Sequence, residues 1–413
     1  MTLLNETYEI AIIGGGLTGL TAAVYLAKAG KHVVLFEKES RLGGLAQTTI
    51  VNGSAFNLGP HALYEGGAAL EILDELGVCL KVLMPIKGIV EFKRELTFLQ
   101  NYRRKKNWNG VRLVDVETQN PFIQSLQEWS EKNIQNERVR LLFHGMCRQW
   151  SYCHDMRIVS AGYVIKQGKL AGNGVRYIEG GWQTIVDDLR IEAIKHGAHI
   201  VTNRPVEQVI LRDGQVRAIK LANLKEVKIS AVISAIGIDD TYKLIEGAEH
   251  ISLGKWKAQS YPLYAACLDV ALKQIPFPER VFAIGLDEPY YFSRHSGPVK
   301  LSNNGAFVFH VMRYNDNQND RDASQDEEEL QKLLDLLEPG WRNNVSAIRF
   351  SPNVLVAHDA RTIAQGGKGI TDSPVVPEID GLFVAGDWVG QEGRLADAAM
   401  ISAKMAALRL IKT

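Results

Sequence analysis

The sequence predicts an α/β protein in which a parallel sheet flanked by helices is interrupted by insertions that build a second, mixed α+β part. Three observations carry this. Residues 8–37 read as strand, glycine turn, helix, strand and acid. Residues 177–237 read as helix, strand, hairpin and buried strand, and residues 382–410 as strand, Gly-Asp, loop and long helix. A chain of 413 residues also exceeds what one hydrophobic core usually supports, so two domains are expected.

The first stretch is "YEIAIIGGGLTGLTAAVYLAKAGKHVVLFEKE". Ile10 to Ile13 is a continuous apolar run, as a strand buried on both faces requires. Gly14, Gly16 and Gly19 form G-x-G-x-x-G, the pattern from Thr18 to Ala29 is helical, and Gly30 is a natural stop. His32 to Phe36 is a second apolar strand, followed by Glu37. Each residue type has a reason. Gly14 permits a tight turn, Gly16 lets backbone approach a pyrophosphate, and Gly19 allows close contact of helix and strand. Phosphates then meet the positive end of the helix, and Glu37 stands where a carboxylate accepts ribose hydroxyls. This order is that of a Rossmann-like dinucleotide-binding domain.

In the middle stretch Gly180-Gly181 opens a helical pattern ending near Gly197, and a strand follows through Val201. "VEQVILRDGQVRAIKL" alternates as a β-hairpin turning at Asp213-Gly214, a meander inserted into the sheet, and "AVISAIG" is a buried strand. At the C-terminus, Leu382 to Ala385 reads as a strand, Gly386-Asp387 as a turn, and a long helix starts near Arg394.

Nicotinamide and flavin dinucleotides both suit the first motif. The run E-x-x-x-R-x-G-G from Glu37 to Gly44, followed by "AFNLGPHALY" from Ala55 to Tyr64, separates them. It resembles the extended fingerprint of the FAD-dependent superfamily that holds phytoene desaturases, protoporphyrinogen oxidases and flavin amine oxidases. The resemblance implies a non-covalent FAD met by Gly14, Gly16, Leu17, Thr18 and Gly19, and by Glu37, Lys38, Arg41, Gly43, Gly44 and Leu45. It adds Gly59, Pro60 and His61, the backbone of Val206 at the adenine, and Gly386, Asp387, Arg394, Leu395 and Ala398. Asp387 is placed to accept a ribityl hydroxyl, with the final helix pointing its N-terminus at the flavin. Asn57 and Trp182 depart from the superfamily pattern, which more often has Asp and Met there.

The division implied is an FAD-binding domain of residues 1–75, 172–240 and 352–413, with a substrate domain of 76–171 and 241–351. In the latter, a helical stretch offers Phe122, Leu126, Trp129, Val139, Leu142 and Phe143 as an apolar face, for the domain's own core or as a substrate wall. "YPLYAACLDVAL" and "GAFVFHVMRY" read as strands of a sheet over the flavin, and "RDASQDEEELQKLLDLL" as an amphipathic helix stopped by Pro339-Gly340.

Catalytic candidates are His61 and Tyr64, with Arg349, Arg361 and Arg394 as possible anchors for a carboxylate. The implied function is an FAD-dependent oxidoreductase, a dehydrogenase, oxidase or desaturase moving a hydride from an organic substrate, an apolar one included, to flavin N5. "GGKG" at 366–369 lacks a preceding strand and following helix, so no second nucleotide fold is expected and electrons leave to dioxygen or a quinone. Two alternatives stay open: a flavin-dependent isomerase without net redox change, and a prenyl-protein carrier of the same fold, although such carriers lose the glycines kept here.

Composition bounds the remainder. Net charge is zero, which gives no reason to expect nucleic acid, and the basic run Arg103 to Lys106 suits a solvated loop or helix end. Four scattered cysteines are too few for a disulfide framework and suit reduced thiols in a cytoplasm. No 18-residue apolar run occurs, so the expectation is a cytoplasmic protein, free or loosely associated with a membrane. "HGMCRQWSYCH" clusters His and Cys, yet no C-x-x-C is present and buried inert thiols are expected rather than a metal.

Overall fold

The computed structural model describes residues 7–83, 90–92, 121–223, 225–315 and 322–412; the basic run at 103–106 lies outside them. A five-stranded parallel sheet organises one half. Its strands are β1 (Ile10–Ile13), β2 (Val33–Phe36), β9 (His199–Val201), β13 (Ala231–Ser234) and β19 (Leu382–Val384), in spatial order β19-β13-β1-β2-β9. Helix α1 (Leu17–Lys28) crosses from β1 to β2 and ends at Gly30, whose φ of 78° suits glycine.

Successive side chains of these strands enter different cores. Ile10, Ile12, Val33 and Leu35 pack under α1, α2 (Ala68–Leu76), α6 (Gln183–Lys195) and α10 (Ala396–Ile411). Ala11, Ile13, Val34 and Phe36 face the other way. There they meet a meander of β10 (Val206–Arg212), β11 (Gln215–Leu221) and β12 (Glu226–Lys228), with α7 (Ile238–Lys243) and α8 (Ser252–Gln259) beside it. Burial on both faces is why these strands are apolar without alternation. The hairpin turns at Asp213 and Gly214 with φ of 53° and 72°, both positive as a type I′ turn needs.

The second half is a six-stranded sheet in the order β18-β14-β17-β16-β15-β7. These are β7 (Val90–Phe92), β14 (Leu263–Leu272), β15 (Phe282–Gly285), β16 (Tyr290–Arg294), β17 (Phe307–Asn315) and β18 (Val345–Ala357). All neighbours run antiparallel except β7 and β15. Leu268 and Val270 point to one face, under Leu330, Leu333, Leu334 and Leu337 of α9 (Ala323–Leu337). The alternate residues, Cys267 and Asp269, occupy the other face, opposite the parallel sheet's strand ends. Two small sheets bridge the halves: β3 (Thr48–Val51) with β4 (Ser54–Asn57), and β8 (Val175–Ile178) between β5 (Leu63–Tyr64) and β6 (Val82–Leu83).

The helical stretch after residue 121 is two helices, α3 (Leu126–Asn133) and α4 (Glu137–Ser151), packed with α5 (Ala161–Ala171). Asn136 interrupts it because its side chain accepts the Val139 amide at 3.1 Å and caps α4. Leu126, Trp129 and Phe143 are buried in the core of this bundle, so they are domain core rather than a substrate wall. Its His-Cys cluster is dispersed: His144 Nε2 is 2.7 Å from Ser130 Oγ, and the Cys153 thiol donates to the Asp155 carbonyl.

Gly19 shows how tightly α1 sits on β1, since a Cβ there would collide with the Gly14 carbonyl oxygen. Gly19→Ala should therefore lower the free energy of unfolding by about 1–3 kcal/mol, measured by urea denaturation, with no change in the slope of the transition.

Candidate functional site

A cavity of about 550 Å³ opens at the C-terminal ends of β1, β2, β13 and β19 and reaches the inner face of the six-stranded sheet. This is where open α/β sheets bind ligands. One end is the glycine turn. Gly14, with φ of 104°, donates its amide to the Phe36 carbonyl at 2.8 Å. The Gly15 amide donates to Glu37 Oε2 at 2.7 Å, and the Glu39 amide to Oε1 at 2.9 Å. Glu37 thus clamps the turn to the end of β2 from a buried position, while keeping acceptor capacity at the cavity.

The second glycine pair lies on the first. The Gly43 amide donates to Gly15 O at 2.8 Å, and φ at Gly43 and Gly44 is 123° and 52°. A Cβ on Gly16 would meet only the Gly43 carbonyl at 3.8 Å, so this position faces open space. Gly16 is also the N-cap of α1 and offers no side chain to its first amides, and Leu17 and Thr18 border the same space. Arg41 is exposed and reaches the Thr48 carbonyl and Gln183 Oε1, a loop lock rather than a free cation. Lys38 is exposed, 4.0 Å from Asp240. Val206, at the start of β10, closes this end.

Leu45, Pro60, His61, Tyr64 and Trp182 line the cavity as well, as do Gly386, Asp387, Arg394 and Leu395. His61 Nδ1 lies 3.1 Å from Gly59 O and Nε2 3.0 Å from Leu45 O, with Trp182 edge-on at 4.9 Å. Burial pushes its pKa below the ordinary value despite these two carbonyls. The neutral ring has one N–H and donates to one of these carbonyls at a time, which holds His61 to the segment of Gly59 or to that of Leu45. Burial likewise raises the Tyr64 phenol, which also bonds with Tyr152 and Gln167, so it stays protonated. Asn57 has a job its neutral amide performs: Oδ1 accepts from Thr48 Oγ1 at 2.6 Å and from the Trp182 amide at 3.0 Å.

Asp387 is buried and bound to His358, at 2.7 Å from Oδ1 to Nδ1 and 3.0 Å from Oδ2 to the backbone amide. Burial alone would raise its pKa, but the His358 charge and hydrogen bonds and the nearby Arg394 hold it at about 2. Burial lowers and Asp387 raises His358, with the carboxylate prevailing. Arg361 is buried and donates to Gly390 O at 2.8 Å and Asp387 O at 3.0 Å, inside a clasp that includes Gly369 of the 366–369 run. Arg349 pairs with buried Asp269 and donates to Phe56 O and Asn57 O. Neither Arg361 nor Arg349 borders the cavity, which corrects their reading as substrate anchors; Arg394 does, while donating to Asp359 O.

Gly19, Gly59 and Ala398 stand outside the lining. Gly19 packs α1, and Gly59 faces the Cys267 sulfur, 3.0 Å from where its Cβ would be. Ala398 is fully buried in α10. Lining residues that sequence reasoning did not assign to the site include Tyr152, Cys267, Met312, Val354, Val356, His358 and Asp397. Asp397 lies in the first turn of α10, accepts the Ala69 amide at 2.8 Å, and is raised by burial to about 6.

The pair gives a signed pH prediction. The low Asp387 value stabilises the fold above about pH 4, and that contribution is lost as pH falls through about 2. The raised His358 value stabilises below its ordinary pKa of 6.5, and that part is lost as pH rises through the folded value. Asp387→Asn should therefore cost on the order of 3 kcal/mol near pH 5, and less towards alkaline pH, by chemical denaturation across pH.

Comparison with known proteins places this geometry. Residues 12–76 match the NAD(P)-binding Rossmann-like domain. Over 273 residues the chain is 25% identical to a 4,4'-diapolycopen-4-al dehydrogenase of Metabacillus indicus, covering 54% of this chain and 55% of that one. It is 25% identical over 270 residues to a probable flavin-containing monoamine oxidase A of Dictyostelium discoideum, covering 56% and 58%. These matches span little more than half the relatives' length. A putrescine oxidase variant shares the fold at a TM-score of 0.77 and 15% identity, covering 98% of this chain and 99% of that chain. The chain is thus similar in sequence to a carotenoid-pathway dehydrogenase and a flavin-containing amine oxidase, and it shares the fold of a putrescine oxidase.

Proposed function

We propose that the chain is an FAD-dependent oxidoreductase acting on a small organic, largely apolar substrate. The observation that carries this reading is one cavity lined by Glu37, the glycine turn, Asp387 and the start of α10. Its residues fit the group. The cradle at Gly16 is open where a Cβ would stand, and the uncapped amides of α1 suit a diphosphate. Glu37 retains acceptor capacity for a ribose, and the Val206 backbone is at hand for the adenine. The volume falls in the range of about 300–1,000 Å³ typical of ligand sites.

Bound FAD would supply the redox chemistry, accepting a hydride at N5. The chain's own residues bind, orient and exclude water. Cys267, Met312, Val354 and Val356 form an apolar wall against the six-stranded sheet, and burial keeps the Cys267 thiol protonated. Gly386 holds the turn before α10 by donating to Ser402 Oγ at 2.9 Å, and α10 begins at the cavity with no side-chain cap. Its first amides suit the negative charge of a reduced flavin ring. His61 and Tyr64 serve as positioning residues in this reading.

The expected division into a cofactor part and a substrate part belongs to this proposal, with one adjustment. Leu244, Ile245, Leu253 and Trp256 share the core beneath β13, so the segment to residue 259 is assigned to the cofactor part. The electron acceptor is proposed to be dioxygen or a quinone. No helix among the described residues is long and apolar enough to cross a membrane; loose attachment to a membrane surface is part of the proposal alone. The intact glycine turn, Gly14, Gly16 and Gly19, argues against a flavin-free carrier.

The test is to titrate the protein with FAD, then add amines, porphyrinogens and polyenes anaerobically. Bleaching of the flavin band with formation of an oxidised product supports the reading; bleaching with an unchanged product mass favours the isomerase. Gly16→Val, whose side chain projects into the phosphate cradle, should abolish FAD retention while leaving the folding transition intact. Full occupancy in that variant contradicts the placement of the diphosphate.

A further inference from the structure

His358 follows the last residue of β18 and borders the cavity, yet no sequence motif marks it. Its Nδ1 and its backbone amide both bond to Asp387, so both carboxylate oxygens are engaged and the ring is fixed in orientation. Nε2 then points away from Asp387. It lies beside Gly237, where a Cβ would be 2.9 Å from Nε2 and 2.6 Å from Cδ2. No described residue bonds this nitrogen. Gly237 continues the segment Ala235-Ile236, which touches the glycine turn: a Cβ on Gly14 would be 2.7 Å from Ile236 Cγ2 and 2.9 Å from the Ala235 carbonyl. His358 therefore stands across a short stretch of backbone from the turn.

We infer that His358 is a cofactor-anchoring residue: carried on the Asp387 carboxylate, it presents Nε2–H to the diphosphate of the bound dinucleotide, opposite the amides of the glycine turn. This rests on the FAD reading above. The other cations lining the cavity each have a partner: Arg204 donates to Asn203 O, Lys243 lies 2.9 Å from Asp240, and Arg394 donates to Asp359 O. Arg41 is tied to Thr48 and Gln183, and Lys38 is exposed beside Asp240. A charged N–H donor adds a short, strong hydrogen bond to those that backbone amides give a dianionic group.

The charged groups facing His358 are Asp387 from the loop before α10, and Asp239 and Asp240 from α7. Asp240 is itself 2.9 Å from Lys243 Nζ. Arg394 acts on Asp387 from behind, and Arg361 donates to its backbone carbonyl. Desolvation lowers the His358 pKa, but these carboxylates outweigh it and favour the imidazolium. The linkage sign follows: FAD binds best while His358 is protonated, and affinity falls as pH rises through its pKa.

The experiment measures FAD dissociation constants for wild type and His358→Gln from about pH 6 to 9, by flavin fluorescence. Wild type should weaken by about tenfold with rising pH, and the variant should be about tenfold weaker at the acid end and flat thereafter. Wild-type calorimetry in two buffers of different ionisation heat should also show net proton uptake on binding at alkaline pH. That measurement decides the matter if the variant does not fold. Equal affinity and an equal pH profile in the variant, or no proton uptake in wild type, would overturn the inference while leaving FAD binding intact. Failure of wild type to bind FAD at any pH would remove the underlying reading and the anchor with it.

Discussion

The Gly43 amide donates to the Gly15 carbonyl at 2.8 Å, and the two strands of backbone run so close that a Cβ on Gly44 would be 3.5 Å from Gly16 Cα. Gly16 and Gly43 pair as an isolated β-bridge. This contact between two glycine segments sets the shape of everything around it. It brings the loop after β2 back onto the start of α1, and it leaves a smooth backbone wall instead of side chains. Glu37 reinforces it from behind by accepting the Gly15 amide. Arg41 extends the lock to Thr48 and Gln183, which connects the wall to β3 and α6.

The far wall has a different basis. The inner face of the six-stranded sheet places Cys267 and Met312 at the cavity, directly paired across β14 and β17. One register step deeper, Asp269 pairs with His310, whose Nδ1 is 2.6 Å from Asp269 Oδ1, and Arg349 approaches from β18. Arg349 then grips the Phe56 and Asn57 carbonyls, so a buried ion pair fixes the loop that carries Gly59 and His61. Such pairs contribute little net stability because desolvation offsets attraction, yet they tolerate few alternative arrangements. The same logic applies to Arg361, Asp359 and Arg394 behind Asp387. The site is shaped by buried charge on one side and by absent side chains on the other.

This contrast explains how much was legible in the sequence. The glycine turn, Glu37, the hairpin at Asp213-Gly214 and the Gly386-Asp387 turn are local patterns whose chemistry is written in adjacent residues. The parallel sheet followed from apolar runs that local periodicity exposes. His358 and Asp387 are 29 positions apart, and Cys267 and Met312 meet only through strand pairing. No local signal encodes those meetings. Arg349 and Arg361 were misread for a related reason. A lone arginine in a sequence looks like an available charge, whereas here carbonyl oxygens from distant loops surround both. The helical stretch at 126–151 was legible in type but not in its break, because Asn136 as a helix cap looks like any other polar residue on a helix surface.

FAD binding as proposed requires one extended dinucleotide lying between the glycine wall and the start of α10. A crystal structure of the protein grown with FAD tests it most directly. The expected density has the adenosine near Glu37 and Val206, the diphosphate against Gly14 to Thr18, and the isoalloxazine between the sheet face at Cys267 and the first turn of α10. Density for FAD in any other orientation, or a groove occupied by the chain's own side chains, would contradict it.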